Sequence, residues 1–290
     1  MKKLFIAVTA HDPLNRIEKT LRVLKGYEQL PATTDVEIFI DHDHAHDLEE
    51  FSAILDKNIS GCQVSVAVAG PEYHQYYLCW AHKGSLRSAI HKKHYDYYMY
   101  SENDMLFTYD NFEYWYSNKD SLRSLNLEPG FCRFEKVDGQ KIPFDNYRKW
   151  SITRPTRNVW GELPHKNEFI LSLNSRHRVG WMSLGNPYSG LMLLDQQDAE
   201  VYVNSDACDP DKSYALTGKR NWPIADRSSM GLCFHDLLDG QEHRRVVAVT
   251  REDTLLVIPD YALVEHLDTK YAPALIEEGD IITTDTMLCR

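Results

Sequence analysis

The chain has 290 residues, of which 43% are hydrophobic and 26% are charged. This length and composition predict a folded protein with a large core and argue against long disordered stretches. The net charge of −11 argues against nucleic acid as a partner, because binding nucleic acid requires basic residues that neutralise phosphates.

The cysteines are scattered through the chain, with no CxxC pair, and this spacing predicts free thiols in a reducing compartment. The apolar run 4–8, which follows Met1, Lys2 and Lys3, is too short for the core of a signal peptide. No stretch approaches the ~20 apolar residues of a membrane span. We therefore expect a cytoplasmic protein without a transmembrane segment.

One part of the chain is basic against this acidic background. Residues 141–180 contain eight Lys or Arg residues and three acidic residues. Such a stretch can face an anionic ligand or the lipids of a membrane surface, and a solvated loop is the alternative.

Strands and helices alternate over the first 100 residues. Apolar runs predict strands at 4–8, 36–40, 64–68 and 97–100. Helices are predicted from Asp12-Pro13 to about residue 24, at 48–55 and at 77–93. This alternation predicts an α/β fold in three layers, Rossmann-like, with a mainly parallel central sheet.

The pattern is looser beyond residue 104. It predicts helices at 112–125 and 223–238, a turn at 128–130, and strands at 191–194, 200–203 and 246–249. No repeat or linker divides the chain, so we expect a single domain over 1–290.

Polar residues follow three of the four N-terminal strands, at 9–12, 41–44 and 101–104. Since the carboxyl ends of parallel strands meet at one edge of the sheet, we expect these residues to converge there. Glu102 and Asp104 present hard oxygen ligands that suit Mg²⁺ or Mn²⁺ on a diphosphate. The alternative is a polar strand end that faces water.

The run from His82-Lys83-Gly84 to Asp104 resembles the pattern of GT-A glycosyltransferases. In that family a helix with an Asn-Lys-Gly-like start precedes a strand that ends in a D-x-D motif. The match covers about 100 N-terminal residues in order and spacing. This chain has His82 where Asn is usual and Glu102 where the first Asp is usual.

The resemblance implies a division into a nucleotide-sugar half, 1–125, and an acceptor half, 126–290. It implies that Asp104 is the principal metal ligand, that Glu102 assists directly or through water, and that Lys83 lies near the diphosphate or the base. The other donor-binding residues that it implies are Thr9, Ala10, His11, Asp41 and Asn103.

In the acceptor half, Asp226 opens a predicted helix and is similar to the general base of inverting GT-A enzymes, with Asp195 and Asp198 as fallback candidates. The alternative for Asp226 is an ordinary helix cap. His266 resembles the late histidine that supplies a further metal ligand. Four tryptophans are candidates for stacking on sugars or for packing, namely Trp150, Trp160, Trp181 and Trp222.

The expected activity is the transfer of a sugar from a nucleotide-diphosphate donor, a UDP-sugar in particular, to a saccharide or glycolipid acceptor in polysaccharide or surface glycan synthesis. Inversion at the anomeric carbon is preferred, and that preference depends on Asp226.

Three alternatives stay open. The run 41–47 has three His and three Asp residues and could serve a metal-dependent phosphoesterase. A sugar-nucleotide nucleotidyltransferase would share the fold, although residues 9–13 are not the Gly-rich basic loop typical of that class. A sugar-binding protein without catalysis is the third.

Overall fold

A computed structural model of the chain describes residues 2–145, 149–154, 157–162, 180–217, 222–252 and 255–272. The strands, in chain order, are β1 (Lys3–Ala10), β2 (Thr33–Ile40), β3 (Gln63–Val68), β4 (Tyr97–Glu102), β5 (Met105–Leu106), β6 (Glu128–Pro129), β7 (Cys132–Val137), β8 (Gln140–Pro143), β9 (Lys149–Arg154), β10 (Arg157–Glu162), β11 (Gly180–Ser183), β12 (Leu191–Asp195), β13 (Arg245–Glu252), β14 (Leu255–Val257) and β15 (Leu263–His266). The α-helices are α1 (Ile17–Tyr27), α2 (Leu48–Asn58), α3 (Lys83–Lys92), α4 (Tyr109–Arg123), α5 (Gln196–Asn204), α6 (Ser213–Leu216) and α7 (Ile224–Arg227). Short 3₁₀ turns cover His42–Asp47, Gln75–Trp80, Asp206–Cys208 and Asp260–Ala262.

The chain divides into two compact units. Unit 1 comprises residues 1–112 and 190–242, and unit 2 comprises residues 113–189 and 243–290. Residues 190–242, which the sequence analysis assigns to the acceptor half, therefore pack with the N-terminal residues.

A five-stranded sheet in the order β12-β4-β1-β2-β3 forms the centre of unit 1. The pairings of β1 with β2, β1 with β4 and β2 with β3 are parallel, and only β12 runs antiparallel, at the edge beside β4. The four predicted N-terminal strands and the mainly parallel α/β sheet are confirmed. A Rossmann-like arrangement follows from this strand order.

Both faces of this sheet are covered. Alternate residues of β1 and β4, such as Phe5 and Tyr98, join one apolar cluster with buried residues of α3 and α5. The intervening residues, such as Leu4, Ile6 and Met99, are also fully buried and point to the opposite face. Helices α1 and α2 connect β1 to β2 and β2 to β3, whereas α3 leads back across the sheet to β4, so right-handed crossovers place α1 and α2 on the side opposite α3. The three layers predicted from the sequence are present.

Unit 2 is built mostly from β-strands. Strand β13 pairs with β11 and β14 antiparallel and with β6 in parallel. Strand β7 pairs antiparallel with β8 and in parallel with β15, and β9 pairs antiparallel with β10. Of the strands in this region, the sequence predicts only the one at 246–249, because short strands with irregular patterning give a weak signal.

Two helices predicted from the sequence are shorter in the structure. The predicted helix at 77–93 is a 3₁₀ turn followed by α3, and Trp80 ends the turn with its indole N–H donating to the Ile224 carbonyl at 2.8 Å. The predicted helix at 223–238 reduces to α7. The hydroxyls of Ser228 and Ser229 donate to carbonyls three residues earlier, and Gly231 has a φ of +55°, so the helix ends.

The strand predicted at 200–203 is wrong, because these residues belong to helix α5. The carboxylate of Asp195 accepts a hydrogen bond from the Asp198 backbone N–H at 3.0 Å and caps this helix. Ala199, Tyr202 and Val203 recur at helical spacing and are buried. The cap residue and this spacing are the features of the sequence that indicate a helix here.

The basic stretch at 141–180 lies largely outside the described residues, which omit 146–148, 155–156 and 163–179. Contact with an anionic ligand or with a membrane surface therefore stays a prediction. Within the described parts of the chain, no helix has the length and hydropathy needed to cross a bilayer.

Gly26 in α1 allows a close approach to the chain at Phe107. A Cβ atom at position 26 would lie 2.6 Å from the Phe107 carbonyl oxygen, whereas one at Gly84 in α3 would meet no atom within 4 Å. We expect Gly26→Ala to lower the free energy of unfolding by about 1–3 kcal/mol, since backbone must move. Gly84→Ala is the matched control and is expected to cause no loss. Urea denaturation measures both, and equal stability of the two variants would contradict this packing.

Candidate functional site

Three strand ends bring polar side chains to one edge of the sheet in unit 1. Thr9 of β1 lies opposite Glu102 of β4, and Ala10 at the end of β1 lies opposite Ile40 of β2. His11 and Asp41 come directly after these strand ends, in the connections that follow β1 and β2. The convergence expected from the sequence is therefore present between β1, β2 and β4, because parallel strands in register end at one level.

Asp104 lies two residues beyond the end of β4 and is buried. Its Oδ2 atom is 3.4 Å from Nη1 of Arg16, a residue in the connection between β1 and α1. No motif in the sequence points to Arg16, since the first connection lacks a basic Gly-rich loop. A guanidinium beside the carboxylate puts positive charge at the same edge of the sheet, where a diphosphate would need it.

Asn103 anchors the turn after β4. Its side-chain amide donates to the Thr20 hydroxyl at 3.0 Å, and its backbone N–H donates to the Thr9 carbonyl at 3.2 Å. The backbone N–H of Glu102 donates to the carbonyl of Gly190. These bonds hold the backbone between the two carboxylates. A donor-binding role for the Asn103 side chain stays a prediction.

The Thr9 side chain turns towards the face of the sheet that carries α3. Its hydroxyl is 2.9 Å from the Tyr100 hydroxyl. The imidazole of His82 stacks on the Tyr100 ring with 3.8 Å between centroids, and both side chains are fully buried. His82 stands where GT-A enzymes usually have Asn, and here burial holds the pKa of His82 well below its ordinary value.

Lys83 is buried among aromatic rings behind this edge. Its ammonium donates to the Tyr202 hydroxyl and, at 2.7 Å, to the Ser228 carbonyl. It also lies 4.8 Å from the Trp80 ring centroid and 5.6 Å from that of Tyr100. These contacts give Lys83 a structural role in unit 1. A contact with a diphosphate or a base stays a prediction.

Asp41 is the centre of a hydrogen-bonded group. Its Oδ2 atom is 2.8 Å from His11 Nδ1, and its Oδ1 atom is 2.7 Å from His44 Nδ1. Although burial acts to raise it, the hydrogen bonds from His44 and His11 hold the pKa of Asp41 below its usual value. The bond to Asp41 raises the pKa of His44. Asp41 is therefore an ionised carboxylate between two imidazoles.

Asp226 lies in α7 and is partly buried, and its neighbours Ile224 and Ala225 pack against the apolar cluster that includes residues of α3. Burial raises the pKa of Cys79 to about 12, and the charges of Glu102 and Asp226 add to that rise. The two carboxylates therefore lie within electrostatic range of one thiol. This proximity brings the predicted base and one predicted metal ligand to one part of unit 1.

The fallback bases lie elsewhere. Because β12 is antiparallel, Asp195 at its carboxyl end is opposite Tyr97, at the start of β4. Asp195 caps α5 and Asp198 lies in the first turn of that helix. Both are at the end of the sheet remote from Glu102, so they do not belong to this site.

His266 ends β15 in unit 2, where a buried carboxylate orients its ring. Its Nδ1 atom is 2.7 Å from Glu135 Oε1, and Glu135 also accepts backbone N–H groups from residues 270–272. Although burial acts to raise it, the hydrogen bond from His266 and those backbone groups hold the pKa of Glu135 below its usual value. Glu135 is thus an acceptor, which assigns the proton to Nδ1 and the lone pair to Nε2 in a neutral ring.

The tryptophan predictions have mixed outcomes. Trp181 is buried and lies against Tyr114, with 6.1 Å between ring centroids, so it packs in the core of unit 2. Trp222 in unit 1 lies 6.4 Å from the Phe234 ring. The side chains of Trp150 and Trp160 lie outside the described residues.

Comparison with known proteins adds little to this geometry. No protein-family model matches the chain, and no curated protein does. Among solved structures, a 4-diphosphocytidyl-2C-methyl-D-erythritol synthase from Anaerococcus prevotii has 10% sequence identity and a TM-score of 0.39, over 89% of this chain and 92% of that chain. We draw no conclusion about activity from a likeness of this degree.

The buried ammonium of Lys83 gives a pH-dependent prediction. Burial lowers the pKa of Lys83 to about 8, from 10.5 in the unfolded chain. Between these values the unfolded chain retains a proton that the folded chain has lost, so this group adds stability as pH rises. We expect the wild type to gain up to about 3 kcal/mol relative to Lys83→Met between pH 7 and 10.5.

Urea denaturation at several pH values measures this difference. Lys92→Met, at an exposed position of the same helix, is the matched control. A difference between wild type and Lys83→Met that does not change with pH would show that the ammonium is not desolvated in the folded chain.

Proposed function

We propose that this protein is a divalent-metal-dependent enzyme that transfers a sugar from a nucleotide-diphosphate donor to a hydroxyl acceptor. The observation that carries the proposal is the convergence of Glu102 and Asp104 with Thr9, His11 and Asp41 at the carboxyl ends of three parallel strands. Nucleotides bind at this edge in sheets of this kind. The motif resemblance to GT-A glycosyltransferases supports the reaction class.

The side chains proposed to bind the metal suit a hard divalent cation. Glu102 and Asp104 supply carboxylate oxygens, which Mg²⁺ and Mn²⁺ prefer. When bound, such an ion neutralises charge on the diphosphate leaving group. His266 as a further ligand stays a prediction from the resemblance. It is supported by Glu135, since metal-binding histidines commonly donate their other ring N–H to a carboxylate.

Side chains of the protein carry out proton transfer and help to stabilise the leaving group. In the proposed reaction the acceptor oxygen attacks the anomeric carbon, and the bond between that carbon and the diphosphate breaks with its electron pair going to the nucleoside diphosphate. Asp226 takes the proton from the acceptor hydroxyl. Arg16 stabilises the departing diphosphate by charge. Attack from the side opposite the leaving group inverts the anomeric centre.

The donor partner is a UDP-sugar in this proposal, and the acceptor is a saccharide or glycolipid of polysaccharide or surface glycan synthesis. Thr9, Ala10, His11 and Asp41 border the nucleoside. Lys83 and Asn103 belong to the predicted donor-binding residues, although each already has the structural contacts described above.

Nucleotidyl transfer is the second candidate, because it uses the same strand ends and the same ion. The position of Arg16 beside Asp104 favours this reaction. Nucleotidyltransferases typically have a basic loop after the first strand, and Arg16 supplies a basic group there although the Gly-rich pattern is missing. The products separate the two reactions. Glycosyl transfer releases a nucleoside diphosphate from a nucleotide sugar, whereas nucleotidyl transfer releases pyrophosphate from a nucleoside triphosphate and a sugar phosphate.

The ion and the nucleotide can be tested together by calorimetric titration of UDP, GDP, CDP and dTDP, each with Mn²⁺ and with EDTA. We expect one diphosphate to bind with Mn²⁺ and Asp104→Asn to weaken its binding by at least about tenfold, because the neutral amide has one oxygen fewer and no negative charge. Asp96→Asn, at the opposite end of β4, is the matched control and should bind as the wild type does.

Binding of none of the four diphosphates would contradict a glycosyltransferase donor site. Equal binding by Asp104→Asn and the wild type would instead remove Asp104 from the metal site.

The base is tested by Asp226→Asn. We expect kcat to fall by roughly 10²–10⁴-fold, because the acceptor proton has no acceptor group, while the Kd of the donor stays the same. Asp198→Asn, remote from Glu102, is the control and should keep its kcat. A fall in kcat of the same size in both variants would refute the assignment of Asp226.

A further inference from the structure

The histidine-rich run 41–47 is not used by the proposed function beyond Asp41. Its three histidines have different positions in the structure. His42 and His46 are exposed, whereas His44 turns back towards Asp41. A histidine from another part of the chain, His11, completes the group on the other side of Asp41.

The three side chains meet because of the backbone around them. His11 and Asp41 each stand one residue beyond the paired ends of β1 and β2. Asp41 caps the following 3₁₀ turn by accepting from the His44 backbone N–H at 3.2 Å, which returns the His44 ring to the carboxylate. Asp12 has a φ of +52°, so the chain turns sharply after His11.

The geometry is that of a three-ligand cluster. One ligand atom from each of His11, Asp41 and His44 lies within 4.8 Å of the others. Each oxygen of Asp41 faces one Nδ1 atom, at 2.8 Å for His11 and 2.7 Å for His44. Ligand atoms around a tetrahedral zinc ion are about 3.3 Å apart, a spacing that lies between the shortest and longest separations in this cluster.

We propose that His11, Asp41 and His44 form a binding site for a transition-metal ion of the Zn²⁺ class, separate from the Mg²⁺ or Mn²⁺ of the proposed reaction. Two imidazoles and one carboxylate are ligands that Zn²⁺, Ni²⁺ and Co²⁺ prefer, whereas Mg²⁺ prefers oxygen alone. The ion replaces the protons that Asp41 shares with the two rings.

The surroundings of the cluster support direct ligation. His44 Nε2 lies 3.5 Å from Asp12 Oδ1. With His44 Nδ1 on the ion, the Nε2–H of His44 points to the Asp12 carboxylate as its acceptor, and this contact orients the ring, as carboxylates do for many metal-binding histidines. Asp12 is itself held by Asn15, whose amide donates to it at 2.8 Å. Asp41 is only 5% exposed, while His11 is 65% exposed, so an ion can enter from the side of His11.

The site would link two connections that are not joined by the hydrogen bonds between the strands. His11 belongs to the connection between β1 and α1, and Asp41 and His44 belong to the one between β2 and α2. An ion held by all three would crosslink them. His11 and Asp41 are also among the residues proposed to border the nucleoside, but the inference concerns a different ion and is tested without any nucleotide.

The experiment is a calorimetric titration of the metal-stripped full chain with Zn²⁺ alone. We expect one Zn²⁺ per chain, with binding weakened at least tenfold in His11→Gln and in His44→Gln. His42→Gln, an exposed position in the same turn, is the matched control and should bind as the wild type does. Asp104→Asn should also retain the ion, which separates this site from the proposed catalytic one.

Co²⁺ provides a direct view of the ligands, because its visible absorption depends on coordination. We expect tetrahedral d–d bands with no thiolate charge-transfer band, and their loss in His11→Gln. Thermal unfolding of each variant without metal confirms that it folds, which the exposure of His11 favours.

Four results would overturn the proposal. Wild type that does not bind Zn²⁺ excludes the site. Unchanged binding in both His11→Gln and His44→Gln places the ion elsewhere. An equal loss in His42→Gln shows adventitious binding by surface histidines. A thiolate band shows that cysteine holds the ion.

Discussion

Strand β1 is hydrogen-bonded in parallel to β2 on one side and to β4 on the other, with Thr9 opposite Glu102 and Ala10 opposite Ile40. Everything proposed for unit 1 depends on this register. A shift of one residue would turn each side chain of β1 to the other face of the sheet and separate His11 from Asp41. The apolar residues of β1 resist such a shift because both faces are buried.

Burial behind the edge of the sheet determines which polar residues can act. Lys83, next to His82 in a motif that resembles a donor-binding signature, has its ammonium directed into the aromatic cluster, towards Tyr202 and Ser228. Arg16, outside any motif, lies beside Asp104. Arg16 and Asp104 at this edge thus lie in loops that follow strands, whereas Lys83 at the start of α3 packs in the layer behind the sheet.

Much of unit 1 could be predicted from the sequence, since long apolar runs such as 4–8 and 97–100 mark buried parallel strands whatever their partners are. The proximity of His11 to Asp41 could also be predicted, because the carboxyl ends of parallel strands meet at one edge of the sheet. The position of Arg16 could not be predicted, because it depends on how a loop folds. The burial of Lys83 could not be predicted either, because its hydrogen-bond partners Tyr202 and Ser228 are more than 100 residues away. In unit 2, short strands and the bond between Glu135 and His266 depend on contacts distant in sequence.

The return of residues 190–242 to unit 1 has a consequence for how the protein is made. Strand β4 ends at residue 102 and its edge partner β12 ends at residue 195, so 93 residues must be synthesised between them. At about 5–20 residues per second, this delay lasts roughly 5–20 s on the ribosome. During that time the edge of β4 that pairs with β12 lacks that partner and can pair with other strands. The late pairing of β12 thus leaves one edge of the nascent sheet open until residue 195 has been made.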